Sequence, residues 1–385
     1  MPAVCAIEVA AEGGGIAAVS RMAWSVVQRQ WPGTQLFVLH PGDAGRAGFV
    51  RKGRFAARIA SAQVLGRVDW ILFTHLQLLR VQQLPPAGLR RPYAVFLHGI
   101  EAWGPLSDSD THLLAGATLR LANSEFTARR VMAAHPDVGP VVACPLALMP
   151  PVDRRDDPAD DHEGDAPDEG RGGPADRTCD DDASVSVGPA AVLIVGRMLA
   201  AERYKGHDQL IDAWPRVLQS VPAAQLIVIG DGDDAARLRE RAAQAGTPAD
   251  AIVFTGFIGG RTLDLLYDRC AVFAMPSRGE GFGLVYLEAM AHRLPCIGCR
   301  DNAAAEVIVD GETGILVDQA DPGRLADAVV RLLSDRELRA RMGAAGFRRA
   351  HGRFSFERFS SQLVGELRAA FEQPTGAAAA PKAFA

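Results

Sequence analysis

Short apolar runs alternating with amphipathic stretches recur on both sides of one strongly acidic segment, and this alternation limits what the chain can fold into. Val4–Ala10, Gln35–His40, Asp69–Phe73, Ala94–His98 and Leu119–Asn123 read as strands before that segment. Ala191–Gly196, Leu226–Gly230, Ile252–Thr255, Ala271–Met275 and Cys296–Gly298 read as strands after it. Helical patterns fill the gaps at Ile16–Gln30, Ser124–Ala134, His207–Ser220, Asp234–Ala245, Arg261–Arg269, Leu284–Arg293, Pro322–Leu333 and Phe356–Phe371. Buried short strands alternating with helices of this length argue for parallel sheets built from right-handed βαβ units. The expected class is α/β, with two doubly wound Rossmann-like domains facing each other across a cleft. Ligands in such sheets bind at the carboxyl ends of the strands.

The charge distribution sets the expected boundaries. Residues 1–150 carry a net charge of +5, 151–188 a net of −9 and 189–385 a net of −1. The acidic stretch has almost no large apolar side chain, so it cannot offset the entropy of ordering and is expected to be a disordered linker. This gives an N-terminal domain at 1–150, the linker at 151–188 and a second domain at 189–352. A helix at 353–372 and a frayed tail at 373–385 complete the chain. No apolar run reaches the length of a membrane span. The N-terminus lacks the basic start of a signal peptide, and six Cys in 385 residues make no disulfide framework. A cytoplasmic location is expected. Nucleic-acid binding is disfavoured, because no basic patch is interleaved with aromatics.

Several segments at expected strand ends carry chemistry. Glu12-Gly13-Gly14-Gly15 opens the first helix. Its free N–H groups suit a phosphate or carboxylate, and a tight turn needing only glycine is the equal alternative. His98-Gly99-Ile100-Glu101 ends a strand on the same edge, where His98 can meet a sugar or phosphate oxygen or cap a loop. Gly196-Arg197 closes the first strand of the second half, with Lys205-Gly206 eight residues on. Two cations there can hold a diphosphate and stabilise the charge of a leaving group. The sharpest signal is Glu280-Gly281-Phe282-Gly283-Leu284-Val285 leading to Glu288. The glycines free the backbone for an anion-binding turn at a helix start. Glu288, on an apolar helix, needs a partner such as a ribose or sugar hydroxyl. Cys296 and Cys299 have CxxC spacing but lie in an expected buried strand with no second pair for zinc. Ser277 lacks a hydrolase elbow, and Gly230-Asp231-Gly232 reads as a turn.

Together, Gly196-Arg197 with Lys205-Gly206, the Gly230–Gly232 turn, and the Glu280 and Glu288 pair with seven residues between them resemble the retaining GT-B glycosyltransferases of family 4. The resemblance is strong over 190–350. Over 1–150 it rests on Gly14, Gly15, His98, Gly99, Glu101 and Asn123-Ser124-Glu125-Phe126. The run Glu202-Arg203-Tyr204-Lys205-Gly206-His207-Asp208 is similar to mannosyltransferases of bacterial exopolysaccharide assembly. Cys144-Pro145-Leu146-Ala147-Leu148 departs from the family's usual Pro-Asn-Gly-Val-Asp before the linker.

The resemblance implies a nucleotide-sugar donor held mainly by the second domain and an acceptor held by the first. Arg197 and Lys205 would grip the diphosphate, Glu288 the ribose and Glu280 the transferred sugar. The backbone of Gly14, Gly15, Gly281, Phe282, Gly283, Leu284 and Val285 would complete the phosphate cradle. Gly256 and Ile258 would face the base, and His98 would lie by the sugar. The family retains anomeric configuration by front-face attack and generally works without a metal or other cofactor. The expected donor is GDP-mannose, with UDP-glucose next. The expected acceptor is a glycan or a polyprenyl-diphosphate-linked sugar in surface-polysaccharide synthesis. A nucleotide-sugar epimerase would lack the combined Arg–Lys and two-Glu set, and a non-catalytic donor-binding subunit is the further alternative. Arg46, Arg51, Lys52, Arg54 and Arg58 form a partly amphipathic basic segment. It reads either as peripheral contact with an anionic leaflet or as a solvated helix face.

Overall fold

The computed structural model describes residues 1–9, 14–39, 46–149 and 186–372. The disorder expected at 151–188 falls outside the described residues except for 186–188, and so do Glu12, Gly13 and the tail at 373–385.

The first half contains β1 (Ala3–Ala6), α1 (Gly15–Gln30), β2 (Gln35–Val38), α2 (Arg46–Val64) and β3 (Ile71–Phe73). It continues with β4 (Tyr93–Leu97), α3 (Ile100–Trp103), α4 (Asp108–Ala115), β5 (Leu119–Ala122), α5 (Glu125–Ala134) and β6 (Val142–Ala143). Its six strands form a parallel sheet in the order β2-β1-β3-β4-β5-β6. The second half runs β7 (Ala190–Val195), α6 (His207–Ser220), β8 (Ala224–Ile229), α7 (Ala235–Gln244), β9 (Ile252–Gly256) and α8 (Gly260–Arg269). Then come β10 (Val272–Ala274), α9 (Leu284–Ala291), β11 (Cys296–Cys299), α10 (Ala304–Val307), β12 (Gly314–Val317) and α11 (Pro322–Ser334). This sheet is also parallel, in the order β12-β11-β10-β7-β8-β9. α12 (Arg336–Arg353) and α13 (Phe356–Phe371) end the described chain. Strand order reverses beside β1 in one sheet and beside β7 in the other. Doubly wound sheets open their ligand crevice at such points.

Strand alternation sorts the core. Val4, Leu72, Ala94, Phe96 and Leu121 share one buried core with Val19, Met22, Ala23 and Val26 of α1 and with Phe359 of α13. Ala3, Cys5, Ile71, Phe73, Val95 and Leu97 face the other way, toward Phe55 and Ile59 of α2. This is the two-residue period of a sheet buried on both faces.

The last helix returns to the first sheet. Phe371 stacks on Trp70 at 4.8 Å. Phe359 lies 6.5 Å from Phe96, and Gln362 Nε2 donates to the Ala143 carbonyl at 2.6 Å. Phe359, Leu363 and Leu367 are buried, and each such side chain contributes roughly 1.5–3 kcal/mol. The first sheet's inner face and the second domain's core are thereby continuous. The atypical stretch before the linker takes part as well. Cys144 N–H extends the ladder to the Ala122 carbonyl at 2.7 Å, and Leu148 N–H donates to Phe354 at 2.9 Å.

Seven of these elements lie outside the segments expected from the sequence: helices α2, α3, α4, α10 and α12 and the short edge strands β6 and β12. α12 shows no clean apolar stripe because Gly343 and Gly346 occupy the face it turns to α9. A Cβ at Gly343 would lie 1.9 Å from the Arg293 carbonyl oxygen, and one at Gly346 would lie 3.0 Å from Met290 Cγ. The helix therefore packs through backbone, where a hydropathy pattern carries no signal.

Gly343→Ala is expected to lower the melting temperature strongly, since backbone on α9's flank must move. Gly352→Ala in the same helix meets nothing within 4 Å, and is expected to be neutral or to stabilise by up to ~1 kcal/mol. Thermal unfolding of the two variants checks the contrast.

Candidate functional site

Arg197 leaves β7 on a loop pinned by its neighbour strand. Gly196 N–H donates to Ile229 at 3.0 Å and Met198 N–H to Asp231 at 2.9 Å. Gly230 and Gly232 have φ of 134° and 157°. Side chains there would strike the Gly196 and Met198 carbonyls at 2.0 and 2.2 Å. The Gly-Asp-Gly turn is thus the surface on which the Arg197 loop rests.

Lys205 ends a 3₁₀ segment, Ala200–Lys205. Its Nζ is 3.4 Å from Glu280 Oε1 and 4.0 Å from Glu202 Oε2, while the Arg197 guanidinium pairs with Glu202 Oε1. Arg197, Lys205 and Glu280, three residues singled out from the sequence, are therefore joined in one ionic cluster. Glu202 is the fourth member, and in the sequence nothing but its three-residue spacing to Lys205 sets it apart from the charged run around it. Lys205 and Glu280 are largely shielded from solvent, so their attraction is stronger than at an open surface. Burial, then Glu202 and Glu280, push the Tyr204 phenol well up. Burial, then Lys205, hold the neighbouring His207 down at about 4.

The loop bearing Glu280 is tied from behind. Gln319 Nε2 bridges the Tyr204 carbonyl at 2.8 Å and the Pro276 carbonyl at 2.5 Å. Ala303 N–H donates to Glu280 at 3.3 Å. Ser277 is fully buried and its Oγ accepts from Gly279 N–H at 3.3 Å, so its hydroxyl serves the turn. In front, the loop meets the first domain. A Cβ on Gly281 would fall 1.7 Å from the His98 carbonyl oxygen. Ser124 Oγ and Thr127 Oγ1 donate to the Gly281 carbonyl at 2.6 and 3.1 Å. Asn123 Nδ2 donates to the His98 carbonyl at 2.7 Å. The Glu306 carboxylate accepts from Glu125 and Phe126 N–H at 3.0 and 2.5 Å, capping α5 from the opposite domain.

His98 is half-buried. Its Nε2 lies 2.6 Å from the Thr74 carbonyl oxygen. A carbonyl can only accept, so Nε2 carries the hydrogen, and the neutral ring offers Nδ1 as its acceptor. His75 stacks on it at 5.6 Å, and burial followed by His98 lowers His75 to about 4.

Glu288 stands apart, about one turn along α9. Tyr267, buried on α8, donates its hydroxyl to Glu288 Oε2 at 3.1 Å. His292 stacks on the Tyr267 ring at 5.2 Å and holds Asp268 through Nδ1 at 2.7 Å. Burial raises the Glu288 carboxyl, and the Tyr267 hydrogen bond partly offsets this. Tyr267 was not anticipated from the sequence.

The remaining expected residues lie along the same carboxyl edges. Gly283 has φ 92° and precedes Leu284 and Val285 at the start of α9, which has no side-chain cap. Phe282 is buried against Phe354 at 5.6 Å. Gly14 and Gly15 open α1, and both face open space. Gly14 has φ −67°, so its use there is access, not a left-handed turn. Gly256 and Ile258 sit at the end of edge strand β9, two strands from β7, and not within the ionic cluster.

Residues 189–335 match the family described as glycosyl transferases, group 1. A GDP-mannose-dependent alpha-(1-6)-phosphatidylinositol monomannoside mannosyltransferase from Mycobacterium tuberculosis is 35% identical over 171 residues, 43% of this chain and 44% of that protein. An alpha-D-kanosaminyltransferase from Streptomyces kanamyceticus is 33% identical over 177 residues, 46% of this chain and 45% of its own length. The matched part thus spans less than half the length of these curated relatives. Two solved structures share the whole architecture. Anabaena HepE in complex with UDP-glucose superposes with a TM-score of 0.70 at 18% identity, covering 96% of this chain and 100% of that one. Sucrose-phosphate synthase from Thermosynechococcus elongatus gives 0.71 at 19% identity, covering 97% and 99%. The chain has the GT-B fold of two Rossmann-like domains, and the greater part of its second domain matches the group 1 glycosyl transferases.

Proposed function

We propose that this chain is a retaining glycosyltransferase that moves a hexose from a nucleotide sugar, with GDP-mannose as the donor. The acceptor is a glycan or a polyprenyl-diphosphate-linked sugar of surface or exopolysaccharide synthesis. The observation that carries the reading is the clustering of Arg197, Lys205 and Glu280 behind a loop seated on His98 of the opposite domain. A donor laid along this edge has cations for its diphosphate and a carboxylate for sugar hydroxyls. In this reading Glu288 accepts from the ribose hydroxyls, and His98 Nδ1 accepts from a hydroxyl of the transferred sugar. The GDP-mannose-dependent relative supports the donor choice. UDP-glucose is the second donor, and a non-catalytic donor-binding subunit is the reading that turnover would eliminate.

In the proposed reaction the bond from the anomeric carbon to the diphosphate oxygen breaks. The acceptor oxygen bonds to the same face of that carbon, and its proton passes to the departing phosphate. Arg197 and Lys205 stabilise the charge that the leaving group gains. No protein nucleophile and no metal enter these steps. The proposal keeps the domain limits at 1–150 and 189–352 and a cytoplasmic site of action.

A specific observation favours contact with an anionic membrane face. On α2, Phe49 is 80% exposed and Val50 50% exposed, beside exposed Arg51, Lys52, Arg54 and Arg58. Phe55 and Ile59 anchor the opposite face of the helix. Among the described residues no helix is long and apolar enough to cross a membrane, and in this reading α2 lies along the membrane surface.

Four outcomes follow from this reading. Thermal-shift titration with GDP, UDP and ADP is expected to favour GDP. Glu280→Ala and Lys205→Ala should each lower turnover at least tenfold, about 1.4 kcal/mol. Wild-type rates in both variants would remove the site assignment. Co-sedimentation with anionic vesicles is expected at low salt, weakened in Phe49→Ser and in Arg51→Ala with Lys52→Ala; neutral vesicles should not bind. Glu288→Gln separates stability from binding. A carboxyl whose pKa is raised by folding penalises the native state as pH rises above the ordinary glutamate range. The variant should therefore melt higher than wild type at pH 7, match it near pH 4, and bind the nucleotide more weakly.

A further inference from the structure

The ionic cluster is electrically complete without any ligand. Arg197 and Lys205 supply two positive charges, and Glu202 and Glu280 supply two negative ones. A doubly anionic diphosphate entering such a set gains little from it unless one carboxylate leaves. Glu280 is fixed through its own loop, with Ala303 behind it and Gly281 seated on His98. Glu202 is not fixed in that way. Its Oε1 holds Arg197, and its Oε2 is buried with no hydrogen-bond partner among the described residues, 4.0 Å from Lys205 Nζ.

The residues on either side of Glu202 are anchored independently. Arg203 makes two hydrogen bonds to Asp234, at 2.7 and 3.0 Å. The Tyr204 carbonyl accepts from Arg278 N–H at 3.0 Å and from Gln319. The backbone departs from helical angles at Glu202 itself, with φ −116° and ψ 24°. Moving this one carboxylate breaks only ion pairs that a phosphate would remake.

We infer that Glu202 is a built-in counter-anion: it occupies the Arg197–Lys205 clamp in the unliganded protein and is displaced by the diphosphate of the donor. The inference rests on the donor reading above and deepens it. The carboxylate holds Arg197 and Lys205 together when no donor is present, so the clamp keeps its spacing. It closes again as the nucleoside diphosphate departs, which lowers affinity for the product. Glu202 is a positioning and competing residue; it touches the cations that meet the diphosphate and takes no part in bond making.

The test is calorimetric titration of the full chain with inorganic pyrophosphate and with GDP. Glu202→Gln keeps the shape and removes the charge, and it is expected to tighten both ligands at least fivefold. Glu202→Asp keeps the charge and should stay within about twofold of wild type. Lys205→Ala should weaken both ligands. In turnover, Glu202→Gln is expected to lower the KM for donor and to strengthen inhibition by GDP. Unchanged or weaker binding by Glu202→Gln, with Lys205→Ala still weakening it, overturns the counter-anion while leaving the donor site intact. No binding to wild type or any variant overturns both. Melting curves of the three variants show that each is folded when titrated.

Discussion

The rest of the site depends on a contact that contains no side chain on one partner. Gly281 brings its backbone so close to the His98 carbonyl that even a methyl group would overlap it. Two hydroxyls from the start of α5 then take the Gly281 carbonyl. Because Glu280 precedes Gly281 and Gly283 opens α9, this contact fixes where the second domain's carboxylate and helix terminus stand relative to the first domain's histidine. Packed backbone has little room to yield. The relative placement of the two half-sites is therefore set by the domain interface and not by long flexible side chains.

That interface is reinforced at a distance. α13 leaves the second domain and lies on the first sheet, with Phe371 on Trp70 and Phe359 near Phe96. Glu306 caps α5 from across the cleft, placing a negative charge at the positive end of a helix. One tie is largely apolar and the other electrostatic. The apolar tie is the costlier one to break, since opening it would expose a continuous core. The caps at α5 and Gly281 are a few hydrogen bonds, which water can replace at small net cost.

The periodic and the chemically unusual parts of the molecule were legible in the sequence. Continuous apolar runs such as Ala191–Gly196 can only be strands buried on both faces, and the Phe356–Phe371 stripe fits one helix burying one side. Arg197, Lys205 and Glu280 were legible because charges at strand ends and in a glycine-rich loop have few structural uses. Less legible was whatever depends on close approach. α12 packs through Gly343 and Gly346, which weaken a helical pattern just where the contact is tightest. Tyr267 reads as one more apolar residue of α8 until its hydroxyl is seen on Glu288. Glu202 sits among other charged residues, and composition cannot separate a solvated carboxylate from one held between two cations. The second sheet's β12 is a short edge strand, whose pairing is decided by β11 beside it and not by its own propensity.

The two glutamates separated by seven residues meet opposite environments, and that difference explains why one motif contains both. Glu280 lies beside Lys205, so its negative charge is balanced before any ligand arrives. Glu288 accepts from the Tyr267 hydroxyl and has His292 nearby, and burial still raises its carboxyl. An unbalanced carboxylate kept in an apolar helix costs stability in the empty protein. Such a cost persists where the group's full set of hydrogen bonds forms only with ligand, because polar sites reject partners that leave them unpaired. Vicinal hydroxyls can supply that set to a carboxylate, whereas a bare phosphate cannot donate to it. In the proposed reading, the Arg197 and Lys205 cations attract a diphosphate once Glu202 has left them, and Glu288 discriminates in favour of a diphosphate that carries a ribose.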